Sequence, residues 1–240
     1  MINIASPVIE EEERRAVNEV IESGMLAQGP KVAELEESWA KYCGVKHALA
    51  VNSGTAAIHC ALYAAGVGEG DEVITTPYSF IATINPILML GARPVLVDID
   101  EETFNIDVSK IEAAITDKTK AIIPVDLYGQ PCDWKELREI ADKHELKIIE
   151  DACQAIGAEY DGVKTGALGD FGCFSLYATK NIMCGEGGVV TTNSDDAAAA
   201  IRSFRQHGMT SSYEYADLGY NYRMSDLHGA IAVEQLKKEI

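Results

Sequence analysis

Positive charge is scarce in this sequence. Among 240 residues, 20 Lys and Arg stand against 38 Asp and Glu, a formal net charge of −18. Non-specific nucleic-acid binding needs a basic footprint that displaces phosphate counterions, and electrostatic attachment to a membrane surface needs a polybasic patch. The composition argues against both. Long apolar runs are missing too. The most apolar stretch, 82–97, is interrupted by Asn85, Pro86, Arg93 and Pro94, so no transmembrane helix is expected. The N-terminus reads MINIASPVIEEEERR, acidic where a secretion signal would be basic and then apolar. None of the six cysteines (43, 60, 132, 153, 173 and 184) forms a CxxC pair, and none of the five histidines falls in an HxxxH or HExxH pattern. The first absence predicts reduced, mostly buried thiols. The second predicts no metal site. An acidic, soluble, cytoplasmic protein is the expectation that composition leaves.

What is present is an alternation of short apolar runs and longer helical periods, the pattern of an α/β fold. Strands are expected at 48–52, 72–76, 94–98, 121–126, 147–150, 171–176 and 188–192. Several are apolar on consecutive residues (AIIPV, VITT, KIIED), as in strands covered by helices on both faces. Helices are expected at 9–23, 53–65, 79–90, 108–114, 134–144 and 195–207, with a bend or break at Pro86 in the third of these. The acidic run Glu10–Glu13 suits the first turn of the first helix, where negative charge meets the positive end of the dipole. The last residues, LHGAIAVEQLKKEI, start another helical pattern, and the sequence stops inside it.

Three segments carry candidate chemistry. In the first, a strand ends at Asn52, and Ser53, Gly54 and Thr55 open a helix. Free helical N–H groups with a glycine and small hydroxyls can hold a phosphate; read alone, they serve equally as an ordinary cap. In the second, KIIEDACQ puts Asp151 at the carboxyl end of a buried strand, where ligands of open α/β sheets bind. A helix-capping Asp explains that residue as well. In the third, FGCFSLYATKN places Ser175 and Lys180 five residues apart where a strand leaves the sheet, ahead of the glycines of GEGG. A lone Lys is ordinarily a surface charge, yet this setting can enclose an amine.

Taken in order, SGTAA (53–57), PYSFIAT (77–83), PVDLYGQP (124–131), EDACQAIGA (150–158), FSLYATKNI (174–182), GEGGVV (185–190), RQHGM (205–209) and GYNYRMSD (219–226) resemble the DegT/DnrJ/EryC1/StrS family of pyridoxal-phosphate (PLP) sugar aminotransferases. The match runs along essentially the whole chain, and ordered motifs at family spacing are far more specific than any single one.

The resemblance implies a fold-type-I large domain, a mostly parallel mixed sheet with helices on both faces, with 1–30 as an N-terminal helix and loop and 31–226 as the PLP-binding domain. Residues 227–240 would begin the helix leading to a smaller C-terminal domain that this sequence does not contain, and with it part of the substrate pocket. PLP is the implied cofactor. Lys180 would form the Schiff base and shuttle the proton, and Asp151 would pair with the pyridine nitrogen. Gln154 would meet the ring hydroxyl, and Phe80 would stack on the ring, unless it is simply core. Ser53, Gly54, Thr55 and Ser175 would hold the phosphate. Asn221 would reach the phosphate of a partner subunit's PLP, implying a homodimer with shared active sites. Tyr177 stands where many members carry His, Arg205 and His207 have at most a weak substrate role, and Arg223 supports its loop, meets substrate or makes an exposed ion pair. Family branches that dehydrate can carry His in place of the lysine, so Lys180 favours transamination.

The implied reaction moves an amino group, from glutamate, to a nucleotide-linked keto-sugar, for an amino sugar of a glycan, antibiotic or polysaccharide. The alternatives are a non-nucleotide ketone such as a cyclitol, or a PLP-binding or partner chain without turnover.

Overall fold

The computed structural model describes residues 5–239. The first four residues of the acidic N-terminal segment, and Ile240, lie outside the described residues. In chain order the helices are α1 (Glu11–Ser23), α2 (Pro30–Cys43), α3 (Gly54–Ala64), α4 (Asn85–Met89), α5 (Ile111–Ala114), α6 (Trp134–Lys143), α7 (Asp195–Phe204) and α8 (Asp226–Lys237). The strands are β1 (His47–Val51), β2 (Glu72–Thr75), β3 (Arg93–Leu96), β4 (Thr119–Ile122), β5 (Lys147–Asp151), the hairpin β6 (Glu159–Tyr160) with β7 (Val163–Lys164), β8 (Phe171–Ser175), β9 (Gly188–Thr192), and the hairpin β10 (Met209–Ser211) with β11 (Glu214–Tyr215).

Seven strands form one sheet in the order β1-β9-β8-β5-β4-β2-β3. Neighbours from β3 to β8 run parallel, and β9 is antiparallel to both β8 and β1. These are the seven strands expected from the apolar runs, and the sheet is mostly parallel as foreseen.

The strands' period of two sorts residues onto two faces. Leu49, Val51, Ala121, Ile149, Phe171, Cys173 and Val190 pack with α3 and α7. Their neighbours Ala48, Ala50, Phe174 and Val189 pack with α2 and α8, while Ile74, Ile122 and Ile148 pack with α6. Helices therefore cover both faces. Asp151 and Ser175 have the odd parity of Ile149 and Cys173, so they belong to the face of α3. Glu150 belongs to the other.

The helix expected over 79–90 with a bend or break at Pro86 is indeed interrupted, into a 3-10 turn at Ile81–Thr83 and the short α4. Pro86 lies in the first turn of α4, where its missing N–H costs nothing, and it cannot continue a helix from the preceding turn. The structure corrects other element expectations. The expected 108–114 helix divides into a 3-10 turn at Val108–Lys110 and α5. β4 ends at Ile122 rather than Asp126, because Pro124 has no N–H for the ladder. Scattered links continue beyond it: the Ile123 N–H donates to the Ile74 carbonyl at 2.8 Å, Val125 bridges Asp151, the Asp151 N–H donates to the Pro124 carbonyl at 3.0 Å, and the Asp126 N–H donates to the Asp151 carbonyl at 3.1 Å. The unforeseen α2 presents Val32, Leu35, Trp39 and Cys43 inward at helical spacing and stops at Gly44, whose φ of 72° suits glycine. All six cysteines are free thiols, five of them buried and Cys153 half-buried. Among the described residues no helix is long and apolar enough to cross a membrane.

Candidate functional site

The carboxyl ends of β5 and β8, the amino end of α3 and the 79–83 turn enclose a cavity of about 620 Å³. It is lined by Ser53, Gly54, Thr55, Phe80, Asp151, Gln154, Ser175 and Lys180, which is every predicted site residue except Asn221. A second, more open chamber of about 670 Å³ adjoins it through Cys153, Gln154, Thr179 and Lys180, and extends to Tyr128, Gly129 and Asn181.

α3 can begin here because Ser53 is extended and its Oγ accepts the Ala56 N–H at 3.1 Å. The N–H groups of Gly54 and Thr55, first in the helix, have no intrahelical acceptor. Gly54 is required for close approach: a Cβ there would lie 2.8 Å from Ser175 Cβ and 3.2 Å from Cys153 Sγ. At Gly188, the start of β9, a Cβ would lie 2.3 Å from the Ser53 carbonyl oxygen. Two glycines thus let a helix N-terminus meet the end of β8, giving an anion cradle of backbone N–H groups flanked by hydroxyls.

Asp151 forms the buried floor. Its Oδ2 accepts from Thr83 Oγ1 at 2.8 Å and its Oδ1 from the Cys153 N–H at 3.2 Å. Thr83 Oγ1 is also 2.9 Å from Ser79 Oγ. Sequence reasoning quoted PYSFIAT without giving Ser79 or Thr83 a task. Two hydroxyl residues four apart on a helical turn were the available signal. Burial, reinforced by the Asp151 charge, holds the Cys153 thiol well above its ordinary range, so it lines the cavity as a neutral group.

Phe80 is 71% exposed and opens onto the cavity, which decides against a core-packing role. Gln154 is held by its Oε1, which accepts the Tyr128 N–H at 3.2 Å. Tyr128 has φ 56°, a left-handed conformation uncommon for a bulky residue, and its ring stands exposed. Neither its position nor that of Glu186 on the cavity wall was read from the sequence. Tyr177 also lines the cavity.

Asn221 lies outside. It is exposed, and its carbonyl accepts from Asn52 Nδ2 at 3.2 Å, while the Asn52 N–H donates to the Tyr222 carbonyl at 2.9 Å. The segment carrying it is fastened to α3 by His59, whose Nδ1 is 3.0 Å from the Tyr222 hydroxyl. Burial pulls the His59 pKa down to about 4, so its ring is neutral near pH 7. Arg205 is not free for substrate: it is buried, bound to Glu36 Oε1 at 2.5 Å and to the Ala50 carbonyl at 2.6 Å. His207 sits on the exposed turn after α7 with φ 61°. Arg223 bridges Val51 through its backbone.

The chemistry available is an amine, a buried carboxylate and an anion cradle in one cavity. Residues 7–239 match the model of the DegT/DnrJ/EryC1/StrS aminotransferase family. The chain is 47% identical over 240 residues to GDP-perosamine synthase of Caulobacter vibrioides, covering 99% of this chain and 65% of that protein. It is 45% identical over 244 residues to the spore coat polysaccharide biosynthesis protein SpsC of Bacillus subtilis, covering 97% and 63%. It therefore spans just under two thirds of the length of these curated relatives. The structure superposes with a TM-score of 0.93 on the PLP form of the putative sugar aminotransferase Spr1654 from Streptococcus pneumoniae, at 33% identity and covering 99% of this chain and 66% of that one. With the family model matched over nearly all its residues, this chain belongs to the DegT/DnrJ/EryC1/StrS aminotransferase family.

Proposed function

We propose that this chain binds PLP through Lys180 and serves the transfer of an amino group, from glutamate, to a keto-sugar carried on a nucleotide. The observation that carries the reading is the convergence of Gly54, Asp151, Ser175 and Lys180 on one cavity from three separate segments. The residues fit the cofactor. The space left by the missing Cβ of Gly54, with unpaired N–H groups beside it, suits a phosphate. A buried carboxylate held by Thr83 suits a protonated ring nitrogen. The relatives' names, GDP-perosamine synthase and a polysaccharide biosynthesis protein, support a nucleotide-sugar substrate.

When bound, PLP supplies an electron sink for the pair left when a donor carbon loses its proton. The chain's residues do the rest. Ser53, Thr55, Ser175 and the α3 amino end hold the phosphate, and Phe80 covers a ring face. Asp151 keeps the ring nitrogen protonated, and Gln154 meets the ring hydroxyl. Lys180 Nζ anchors the cofactor, takes the donor's α-proton as a base and returns a proton to the acceptor as an acid. Asn221 serves a partner's cofactor in a homodimer. That assignment is supported by its position outside its own cavity, hydrogen-bonded through its carbonyl to Asn52, the residue before Ser53.

The test is spectral and catalytic. Wild-type chain with added PLP is expected to turn yellow and retain the colour through gel filtration, whereas Lys180→Ala releases it. Glutamate and a keto-sugar nucleotide should then give an amino-sugar nucleotide with wild type alone. A colourless sample, identical for wild type and Lys180→Ala, overturns the cofactor assignment. Transfer to cyclitol ketones with none to nucleotide keto-sugars overturns the substrate class.

A further inference from the structure

Behind Asp151, on the opposite face of the sheet, lie two carboxyls that the proposed reaction does not use. Asp126 and Glu150 are both fully buried and flank the Val125–Asp151 bridge on one face of the sheet, near enough for each to shift the other's titration. Asp126 Oδ1 accepts from the Cys132 N–H at 2.8 Å and from Trp134 Nε1 at 3.3 Å. Its Oδ2 is buried with no hydrogen-bond partner. Glu150 Oε1 accepts from the Gly166 N–H at 2.6 Å, and Oε2 from the Leu168 and Gly169 N–H groups at 3.3 and 3.4 Å. No Lys, Arg or His among the described residues hydrogen-bonds either carboxyl. The other titratable groups that sense the pair are the buried thiols Cys43, Cys132 and Cys173.

Two neighbouring buried anions without a cation are untenable, and one proton is what would let two such carboxyls hydrogen-bond. One proton held between them satisfies the orphan Oδ2. We propose that Asp126 and Glu150 share a single proton, and that this acid pair is the positioning device that locks the strand ends carrying Asp151. The lock is visible in the backbone: the Asp126 N–H donates to the Asp151 carbonyl at 3.1 Å, and the Asp151 N–H donates to the Pro124 carbonyl at 3.0 Å. Beyond the end of β4 these are the backbone hydrogen bonds that join the two segments among the described residues, with the Tyr128 N–H to Gln154 Oε1 bond further on. If the proton leaves, like charges press the segments apart at Asp151. The functional meaning rests on the proposed role of Asp151; the shared proton does not.

Burial pushes both carboxyls up, Asp126 to about 6 and Glu150 well above the usual carboxylate range, the latter helped by the Asp126 charge. Above the ordinary carboxylate pKa of about 4, the folded pair keeps a proton that the unfolded chain releases. The stabilisation is therefore full below about pH 4 and is lost as pH rises through the pair's own titration.

Infrared spectroscopy of the cofactor-free full chain tests this directly. Wild type is expected to keep one protonated carboxyl C=O band at about pH 7, far above the ordinary carboxylate pKa. Asp126→Asn, whose amide can donate to Glu150 while still accepting from Cys132, and Glu150→Gln should each remove it. In parallel, amide exchange at Asp126 and Asp151, corrected for intrinsic base catalysis, should accelerate about tenfold in wild type as the band titrates away, and stay level in Asp126→Asn. No band in wild type, or a band surviving in both variants, overturns the shared proton. Exchange that ignores the band's titration overturns the lock. PLP is not used in either measurement, so failure of the aminotransferase reading leaves this test intact.

Discussion

Asp151 is held at its site by other residues' hydrogen bonds, and these set its value to the chemistry. Its Oδ2 depends on Thr83, which is itself oriented by Ser79. Removing that hydroxyl leaves a buried carboxylate oxygen without its donor, a loss on the order of 1–3 kcal/mol. Thr83→Val is therefore expected to weaken PLP binding about tenfold or more, with Thr83→Ser close to wild type. Fluorescence titration with PLP measures this, and a Ser variant as impaired as Val would show that the methyl group, not the hydroxyl, matters. At this scale the sequence was informative about end points and silent about support. Asp151 at a strand end and Lys180 before glycines could be singled out, but alone they read equally as a helix cap and a surface charge; the resemblance to the family gave them their roles. The partners that orient Asp151 and Gln154, Thr83 and Tyr128, come from segments remote in sequence. Only folding makes them neighbours.

The elements divide in the same way. The seven strands were readable because strands covered on both faces must be continuously apolar. Period alone is weaker where helices are short. Pro86 split one expected helix and 3-10 geometry opened another, while α2 went unassigned despite Val32, Leu35, Trp39 and Cys43. The N-terminus of α2 shows why local reading stops short. Its cap is supplied from the far end of the chain: Asp226 Oδ1 accepts the Gly29 and Val32 N–H groups at 2.8 and 3.0 Å, and Oδ2 accepts that of Lys31 at 3.1 Å. Asp226 opens α8, so one carboxylate joins two helices, and α8 also packs Ala230 on Ala16 and Val20 of α1. Asp226→Ala would strip three backbone donors, one buried and two half-buried, of their acceptor. The expected loss is about 2–3 kcal/mol in urea unfolding, with Asp226→Asn recovering part of it. An unchanged midpoint for the Ala variant would mean that water replaces the carboxylate at no cost.

At the scale of the whole molecule, a net charge of −18 repels a phosphorylated cofactor and a nucleotide diphosphate alike. The cavity answers with short-range groups, namely helix N–H donors, serine and threonine hydroxyls, and one lysine. Sheet parity explains how they assemble: odd residues of β5 and β8 face α3 and put Asp151 and Ser175 beneath its amino end. Even residues turn Glu150 to the far side, where it meets Asp126. The central claim is that this assembly makes Lys180 the single amine that holds PLP. It is tested most directly by mixing the chain with one equivalent of PLP, reducing with borohydride, and mapping the labelled peptide by mass spectrometry. The account predicts one phosphopyridoxyl group per chain, on Lys180, and none on Lys180→Ala. Label spread over surface lysines, or equal labelling of the variant, would contradict it.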